Sequence, residues 1–589
     1  MDFLKLKKSI TVFFLAFTCS FFLPAQVQLS NLNTTWSLVI SGKFLSKPVL
    51  TTYGFIGATD GKTIYSVTNN GNVIWEENFG VNSETILSIV SSDFTIAVTN
   101  SRRKITLFNP SGVPLWNKVL DFEITDKAYE GRDGRFFLRG TDKVLCFGMN
   151  GICKWQIDTE IQSELPLQEL EDGSLIVFLK NLTEGKTRAL RVTPFGSIVE
   201  DITFSGEVLS ASSSSNGIFL TFSDGSAGLF GLSPNGKAIN RFVINSMDFE
   251  KSRLNFFVSN NQKNEAVFVT AQRNNAKIIY VDSVSGKILW DKEIPELNLQ
   301  NIKEARLTEE GFFICDLNRA YFYNLEGILL WSAKMPDQKG KYKWNYAFFT
   351  ENNTLVIARE NWTMDAYIVE QHAGAQKSDK KYDYYSDYLK VDSSVYDTLY
   401  LFNLNSEITS LQRYKKLESG FYGEKEITYT SDLLSASEAY ISQNNKTVGN
   451  TREDLSAFKA NPADLESLFA QLPLYGTRYT TNLTAKLLKN EKNSFIIKCI
   501  VTGLSKDGYD PDGEILKALE SLAGTVSSKN PALQTNICDA VFSICRFMGR
   551  PAYNKSGKFI LKNFMSPAND SKVRLYARET LEKISALEK

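Results

Sequence analysis

The sequence predicts a mainly β protein, an eight-bladed β-propeller followed by an α-helical domain, and three observations predict it. A turn glycine followed four residues later by tryptophan recurs with a period near 40 residues. All eight tryptophans lie between Trp36 and Trp362, and none follows. From about residue 462 the apolar residues change to helical spacing.

The chain starts with Lys5, Lys7 and Lys8, then an apolar run from Ile10 to Leu23, then Pro24-Ala25. A charged start, a short apolar stretch and a small residue make a secretory signal peptide, residues 1–25. Leu23 is larger than an ideal cleavage site has at that place. Two alternatives stay open. One is an uncleaved anchor, for which the run is short. The other is a membrane tether through lipidation at Cys19, although Phe17-Thr18 suits lipidation poorly. No later segment is long and apolar enough to span a bilayer. The expected location is therefore periplasmic or extracellular.

Hydrophobic residues make up 43% and charged residues 22% of the 589 positions, the balance of a folding chain. The 40 Phe and 24 Tyr suit pleated strands. Loss of the leader leaves a net charge of about −2, which gives no pull toward nucleic acid or an anionic membrane.

The clearest repeat is Tyr280-Val281-Asp282-Ser283-Val284-Ser285-Gly286-Lys287-Ile288-Leu289-Trp290. Related copies turn at Gly71, Gly112, Gly151 and Gly327 and reach Trp75, Trp116, Trp155 and Trp331. Degenerate copies at Gly196 and Gly236 hold Glu200 and Asn240 in the tryptophan place. The glycine intervals of 41, 39, 45, 40, 50 and 41 fit a blade of four short strands and their turns. Asn70-Gly71, Asn150-Gly151 and Asn235-Gly236 are dipeptides that accept positive φ in tight hairpins. Seven turns give seven outer hairpins. Asn345 to Phe349, Thr354 to Ala358 and Ala366 to Val369 read as three strands of an eighth blade. Its fourth strand is expected from Thr35 to Val39, which closes the ring and removes exposed sheet edges. Seven blades is the alternative count. The propeller is placed at residues 26–372.

This pattern of strand, acidic or small residue, Gly-Lys, two aliphatics and Trp resembles the pyrroloquinoline-quinone repeat. That repeat builds the propellers of bacterial quinoprotein dehydrogenases and of the outer-membrane assembly lipoprotein BamB. The resemblance covers roughly residues 34 to 372 and implies the fold. WD40 propellers fit less well, because their blades use a Gly-His pair and His372 is the single histidine here.

Residues 373–461 form a linker and mixed region, with the charged run Lys377-Ser378-Asp379-Lys380-Lys381 read as solvated. The helical domain is placed at 462–589. Its stripes are Ile496, Cys499, Ile500, Gly503, Leu504, then Ile515, Ala518, Leu519, Leu522, Ala523. They continue with Leu533, Ile537, Ala540, Val541, Ile544, and end with Val573, Tyr576, Ala577, Thr580, Leu581, Ile584. Breaks fall at Asp507-Gly508, Ser527 to Asn530, Gly549-Arg550-Pro551 and Ser566-Pro567. Short paired helices of this kind resemble HEAT-type repeats, and a generic helical bundle is the plainer alternative.

Cys146 and Cys153 flank Gly148-Met149-Asn150-Gly151 and are candidates for a disulfide across a hairpin, with two buried thiols as the equal alternative. Cys538 and Cys545 share a helical face but lie roughly 10 Å apart, too far to bridge.

The search for chemistry nominates no catalytic, cofactor-binding or metal-ligating residue. By family resemblance, a quinone-dependent dehydrogenase needs an adjacent cysteine pair, which the chain lacks. The tryptophans are expected to dock neighbouring blades and not to hold a cofactor. One histidine excludes multi-histidine zinc sites and leaves little for a Ser-His-Asp triad. There is no phosphate-binding glycine loop and no Cys-x-x-Cys. Ser101-Arg102-Arg103-Lys104 is read as an exposed loop. The expected function is a non-catalytic extracytoplasmic scaffold whose partners are proteins of the cell envelope. The second reading is a glycan-binding propeller using Tyr342-Lys343-Trp344-Asn345-Tyr346 and Tyr382-Asp383-Tyr384-Tyr385, which packing and linker roles explain more plainly. A quinone or hydrolytic enzyme is the third.

Overall fold

A computed structural model describes residues 32–369 and 469–588, except 92, 132–133, 171–172, 181–184, 194–195, 215–216, 225, 231–238, 244–255, 261–264, 273–274, 283–284, 295–296, 298–301, 309–310, 337–342, 351–353, 471, 477 and 527. The leader, Cys19, Gly236, His372, Tyr342, Tyr382 to Tyr385 and the stretch 373–461 lie outside the described residues.

Among the described residues, thirty-two strands form eight four-stranded antiparallel sheets, each one blade. Blade 1 consists of Val49–Thr51, Gly54–Ala58, Thr63–Thr68 and Val73–Asn78. The others follow in chain order: blade 2 over 86–119, blade 3 over 129–158, blade 4 over 168–204, blade 5 over 208–243, blade 6 over 256–294 and blade 7 over 304–334. Blade 8 joins Trp344–Phe349, Leu355–Arg359 and Thr363–Val369 to the N-terminal strand Leu32–Val39. That strand pairs from Leu32↔Val369 to Val39↔Thr363, so the expected closure and the count of eight both hold. Sealing the ring with a strand distant in sequence leaves no blade with a missing outer strand.

The first strand of each blade is innermost, and the inner strands of successive blades touch around the axis. Two faces follow from this order. Turns joining strands one to two and three to four lie on one face. Turns joining strands two to three, and the connections between blades, lie on the other.

The repeat works through contacts between blades. Gly71, Gly112, Gly151, Gly196 and Gly327 all have φ between 76° and 84°. A Cβ on them would meet Trp36, Trp75, Trp116, Trp155 and Trp290, each from the preceding blade, at 2.5–2.7 Å. Glycine is thus required twice, by the left-handed turn and by the indole lying against it. Trp36, Trp116 and Trp290 also donate Nε1–H to the carbonyls of Asn69, Met149 and Leu325, each at 2.8 Å. The hairpin register shifts at the same place in blades 1, 2, 3, 4, 6 and 7, so the bulge is part of the repeat. In blade 4, Glu200 replaces tryptophan and lies 3.8 Å from Arg191, its cross-strand neighbour.

Cys146 and Cys153 are free buried thiols. The register sets Cys146 opposite Trp155 and Cys153 opposite Phe147. Cys146 then packs with blade 4 residues, whereas Cys153 enters the core shared by blades 2 and 3. The two thiols occupy opposite faces of the sheet, which is why the short spacing does not bring them together.

The helical region contains α1 (Arg478–Asn490), α2 (Ser494–Leu504), α3 (Glu514–Ala523), α4 (Pro531–Met548), α5 (Pro551–Phe564) and α6 (Ser571–Ala586). Helices α1, α3 and α5 touch in one row, and α2, α4 and α6 in another. The first three predicted stripes are buried, and Val573, Ala577, Thr580 and Ile584 carry the burial of the last. Asn493, Asn530 and Asp570 cap α2, α4 and α6 by accepting backbone N–H bonds. The helices share one apolar core with blades 2 and 3 of the propeller.

Candidate functional site

The helical region sits on the face of turns one–two and three–four, over blades 1 to 3. It docks through the segment before α1 and the loops α2–α3 and α4–α5. Three clusters make the contact.

In the first, Arg550, between α4 and α5, donates to Tyr53 Oη at 2.5 Å and lies 3.4 Å from Asp93. Its guanidinium also lies 5.4 Å from the centre of the Tyr53 ring. Asp93 is fixed from below by the Thr52 N–H and hydroxyl at 2.9 and 3.0 Å. The Arg550 and Asp93 side chains are only 6% and 8% exposed, so this ion pair is desolvated. In the second, Tyr509 shares a hydrogen bond of 2.7 Å with Ser91 and lies where a Cβ on Gly134 would stand. Phe547 meets Phe94 at 5.6 Å and Tyr509 at 6.0 Å. In the third, turn asparagines of the repeat reach upward. Asn109 donates to the Arg546 carbonyl at 2.9 Å, and Asn150 to the Leu474 carbonyl at 2.6 Å. Ser111 bonds the Gly549 carbonyl.

Carboxylates are buried around this junction. Burial raises the pKa of Asp507 to about 6, against the opposing N–H of Tyr509, the Asn150 amide and the positive charge of Lys154. Burial raises Asp510 to about 7, although the N–H groups of Leu516 and Ile515 favour its charge.

The opposite face carries the blade-to-blade connections and no described helix. Lys47, in the connection entering blade 1, bonds Glu304 on the inner strand of blade 7, bridging past blade 8 at the mouth of the ring. Trp362, in the second turn of blade 8, is 54% exposed at φ 70°. Val39, 73% exposed, pairs with its neighbour Thr363. The corresponding turn in blade 1 has Lys62 at φ 64°, so the backbone is common to the repeat and the indole is particular to blade 8.

Trp36, Trp75, Trp116, Trp155 and Trp290 dock blades. Ser101, Arg102 and Arg103 form the second turn of blade 2 on the open face, and Lys104 begins the next strand. Arg103 is 3.4 Å from Glu123, and Lys104 lies over Phe79, so the run is tied locally and is not a broad basic surface. Trp344 is buried, Asn345 donates to the Phe44 carbonyl at 2.6 Å, and Tyr346 Oη reaches the Leu45 carbonyl at 3.3 Å. Asn345 and Tyr346 hold blade 8 against the connection into blade 1, whereas Trp344 packs with blade 7 residues such as Phe313 and Phe322. The docking residues Tyr53, Asp93, Tyr509 and Arg550 were not legible as a group. The one signal was an arginine between a helix-ending glycine and a helix-starting proline. Among the described residues no group of three His, Cys, Asp or Glu side chains is placed to hold a metal. No described helix is long and apolar enough to cross a membrane.

No family model and no curated protein matches the chain. Solved propellers resemble it. BamB from Moraxella catarrhalis is 13% identical, over 59% of this chain and 99% of that one, with a TM-score of 0.40. Sqt1 of Saccharomyces cerevisiae is 12% identical over 58% and 100%, with a TM-score of 0.42. The Pan2 WD40 domain of Neurospora crassa is 10% identical over 49% and 90%, with a TM-score of 0.33. At such identities the likeness is one of propeller architecture.

Proposed function

We propose that this chain is an exported, non-catalytic scaffold that binds a protein partner on the open face of its propeller. The observation that carries the reading is the division of the two faces. The chain's own helices take one face over blades 1 to 3. The other keeps its connections uncovered among the described residues and presents Trp362, an anchor side chain of the kind enriched at binding hot spots. The positively charged start and apolar run before Pro24-Ala25 support export, by cleavage or with a tether at Cys19. The Gly–Trp blade docking supports the pyrroloquinoline-quinone-type repeat, and an envelope-assembly role is the concrete form this takes. The two rows α1–α3–α5 and α2–α4–α6 support a HEAT-like stack for the domain placed at 462–589, which adds a second surface of the type that binds proteins.

The test is in-cell crosslinking of the tagged full-length protein followed by mass spectrometry, with Trp362→Lys in parallel. Lysine is what blade 1 carries at the corresponding turn, so the variant is expected to fold. Enrichment of envelope proteins by the wild type, lost in the variant at unchanged Tm, supports the reading. Recovery of the protein alone, or equal enrichment by both, overturns the proposed face.

A further inference from the structure

Charge is unevenly placed along the chain. Its 66 cations and 66 anions cancel, yet residues 469–588 hold 17 lysines and arginines against 11 aspartates and glutamates, a net charge of +6. Helices α1 and α5, which belong to one row, carry three cations each and no acid. On α5 the side chains of Tyr553, Ile560, Leu561 and Phe564 are buried. Lys555, Phe559 and Lys562 lie opposite them, at spacings of four and three that put them on one stripe. Phe559 is 56% exposed. Lys555, Lys562 and Lys486 of α1 are exposed and make no ion pair among the described residues. Lys489 of α1 and Lys517 of α3 are exposed too and share Glu514 at 2.6 and 2.7 Å, one carboxylate for two cations. Glu520 is the remaining acid of α3, and Glu588 pairs with Lys558 at 2.6 Å. The propeller leaves this side bare. It is met by the segment before α1 and the loops α2–α3 and α4–α5, and Phe559 stands eight residues, roughly 12 Å, along α5 from Pro551. On the other row Leu575 of α6 is also 56% exposed, but there Glu579 and Glu582 stand among Lys572 and Arg578.

We infer that the outer side of the row α1–α3–α5 docks on an anionic lipid surface, with the Phe559 ring entering the headgroup layer between Lys555 and Lys562. Unpaired lysines gain from the negative potential of such a surface, and they reach it without giving up an ion pair. An exposed ring in the same stripe adds apolar burial, the combination that holds a helix in the plane of a membrane interface. Contact is peripheral, since no described helix is long and apolar enough to cross. A membrane within reach rests on the exported reading. The lipid contact itself does not, and it leaves Trp362 and the open face free for a protein.

The experiment is co-sedimentation of residues 26–589, which keep every described residue and lack the apolar leader, with two kinds of vesicle. One is phosphatidylcholine alone, the other phosphatidylcholine with phosphatidylglycerol at about 3:1. Binding is expected to the anionic vesicles only, and to fall as salt rises from about 0.05 to about 0.5 M. The double variant Lys555→Glu, Lys562→Glu should bind at least about 25-fold more weakly, because two attractions become repulsions. Phe559→Ser should weaken binding about 5-fold or more, and Leu575→Ser should leave it unchanged. Equal binding of the wild type to the two vesicles, or none to either, overturns the inference. An equal loss in Leu575→Ser overturns the choice of face. Loss in the lysine variant with none in Phe559→Ser also overturns it, and makes the face a site for a soluble polyanion. If a variant does not keep the wild-type Tm, the two-vesicle comparison of the wild type decides. Crosslinking with Trp362→Lys reads the open face alone, so either reading can fail without the other.

Discussion

Replacing Arg550 with alanine tests whether the helical region is locked to blades 1 and 2 by a desolvated contact. The guanidinium hydrogen-bonds Tyr53, packs near its ring and neutralises Asp93, and both charged side chains are more than nine-tenths buried. The hydrogen bond contributes about 1 kcal/mol net. The larger effect is the charge left behind. Among the described residues Asp93 then keeps only the Thr52 donors, and removing one partner of a buried pair costs about 3–5 kcal/mol. A loss of that size lowers a local docking equilibrium by more than about 100-fold. The assay is exchange protection at Tyr509 and Phe94, whose side chains sit on either side of the junction. Blades 6 and 7, remote from it, should not change. Asp93→Asn placed in the Arg550→Ala background should recover part of the loss. It removes the orphaned charge, keeps an acceptor for Thr52, and asparagine tolerates the φ of 67° at this position. A loss below about 1 kcal/mol, typical of an exposed pair, would refute the reasoning and place the docking energy in the apolar contacts alone.

Three further outcomes follow from the repeat and the open face. Gly151→Ala should lower Tm more than Gly80→Ala. Both residues have positive φ, but a Cβ at 151 meets Trp116 at 2.6 Å and one at 80 meets nothing within 4 Å. The excess, about 1–3 kcal/mol, is the overpacking cost of the blade contact, read by denaturant unfolding. Trp290→Ala should destabilise by about 3–5 kcal/mol, because it empties the space against Gly327 and Tyr280 and loses the bond to the Leu325 carbonyl. If it kept its Tm while a binding activity disappeared, the docking role assigned to this tryptophan would be wrong. Trp362→Lys should leave stability within about 0.5 kcal/mol by thermal melting, since the indole is exposed and Lys62 occupies the corresponding turn. A larger loss would make Trp362 a packing residue.

The propeller was legible because its determinants are local and repeated. A glycine at positive φ and a tryptophan four residues later leave a period that survives divergence of everything between them. Even the closure by residues 35–39 could be inferred, since a blade with three visible strands demands a fourth. The helix stripes were legible for the same reason, with breaks at Gly508, Pro551 and Pro567 marking the turns. Cys146 and Cys153 show where local spacing misleads. Seven positions apart across a tight hairpin, they are near in sequence, yet one bulge and the alternation of the strand send them to opposite faces.

The identity and order of the elements are thus dictated by short-range chemistry and can be read along the chain. Which face the helices take, and which they leave open, is settled by contacts far apart in the chain. That choice depends on pairs such as Tyr53 with Arg550, Ser91 with Tyr509 and Asn109 with Arg546, separated by 497, 418 and 437 positions. No periodicity links such residues. They meet because ring closure brings the turns of blades 1 to 3 onto one face, and because burying the loops of the helical stack there removes apolar surface from water.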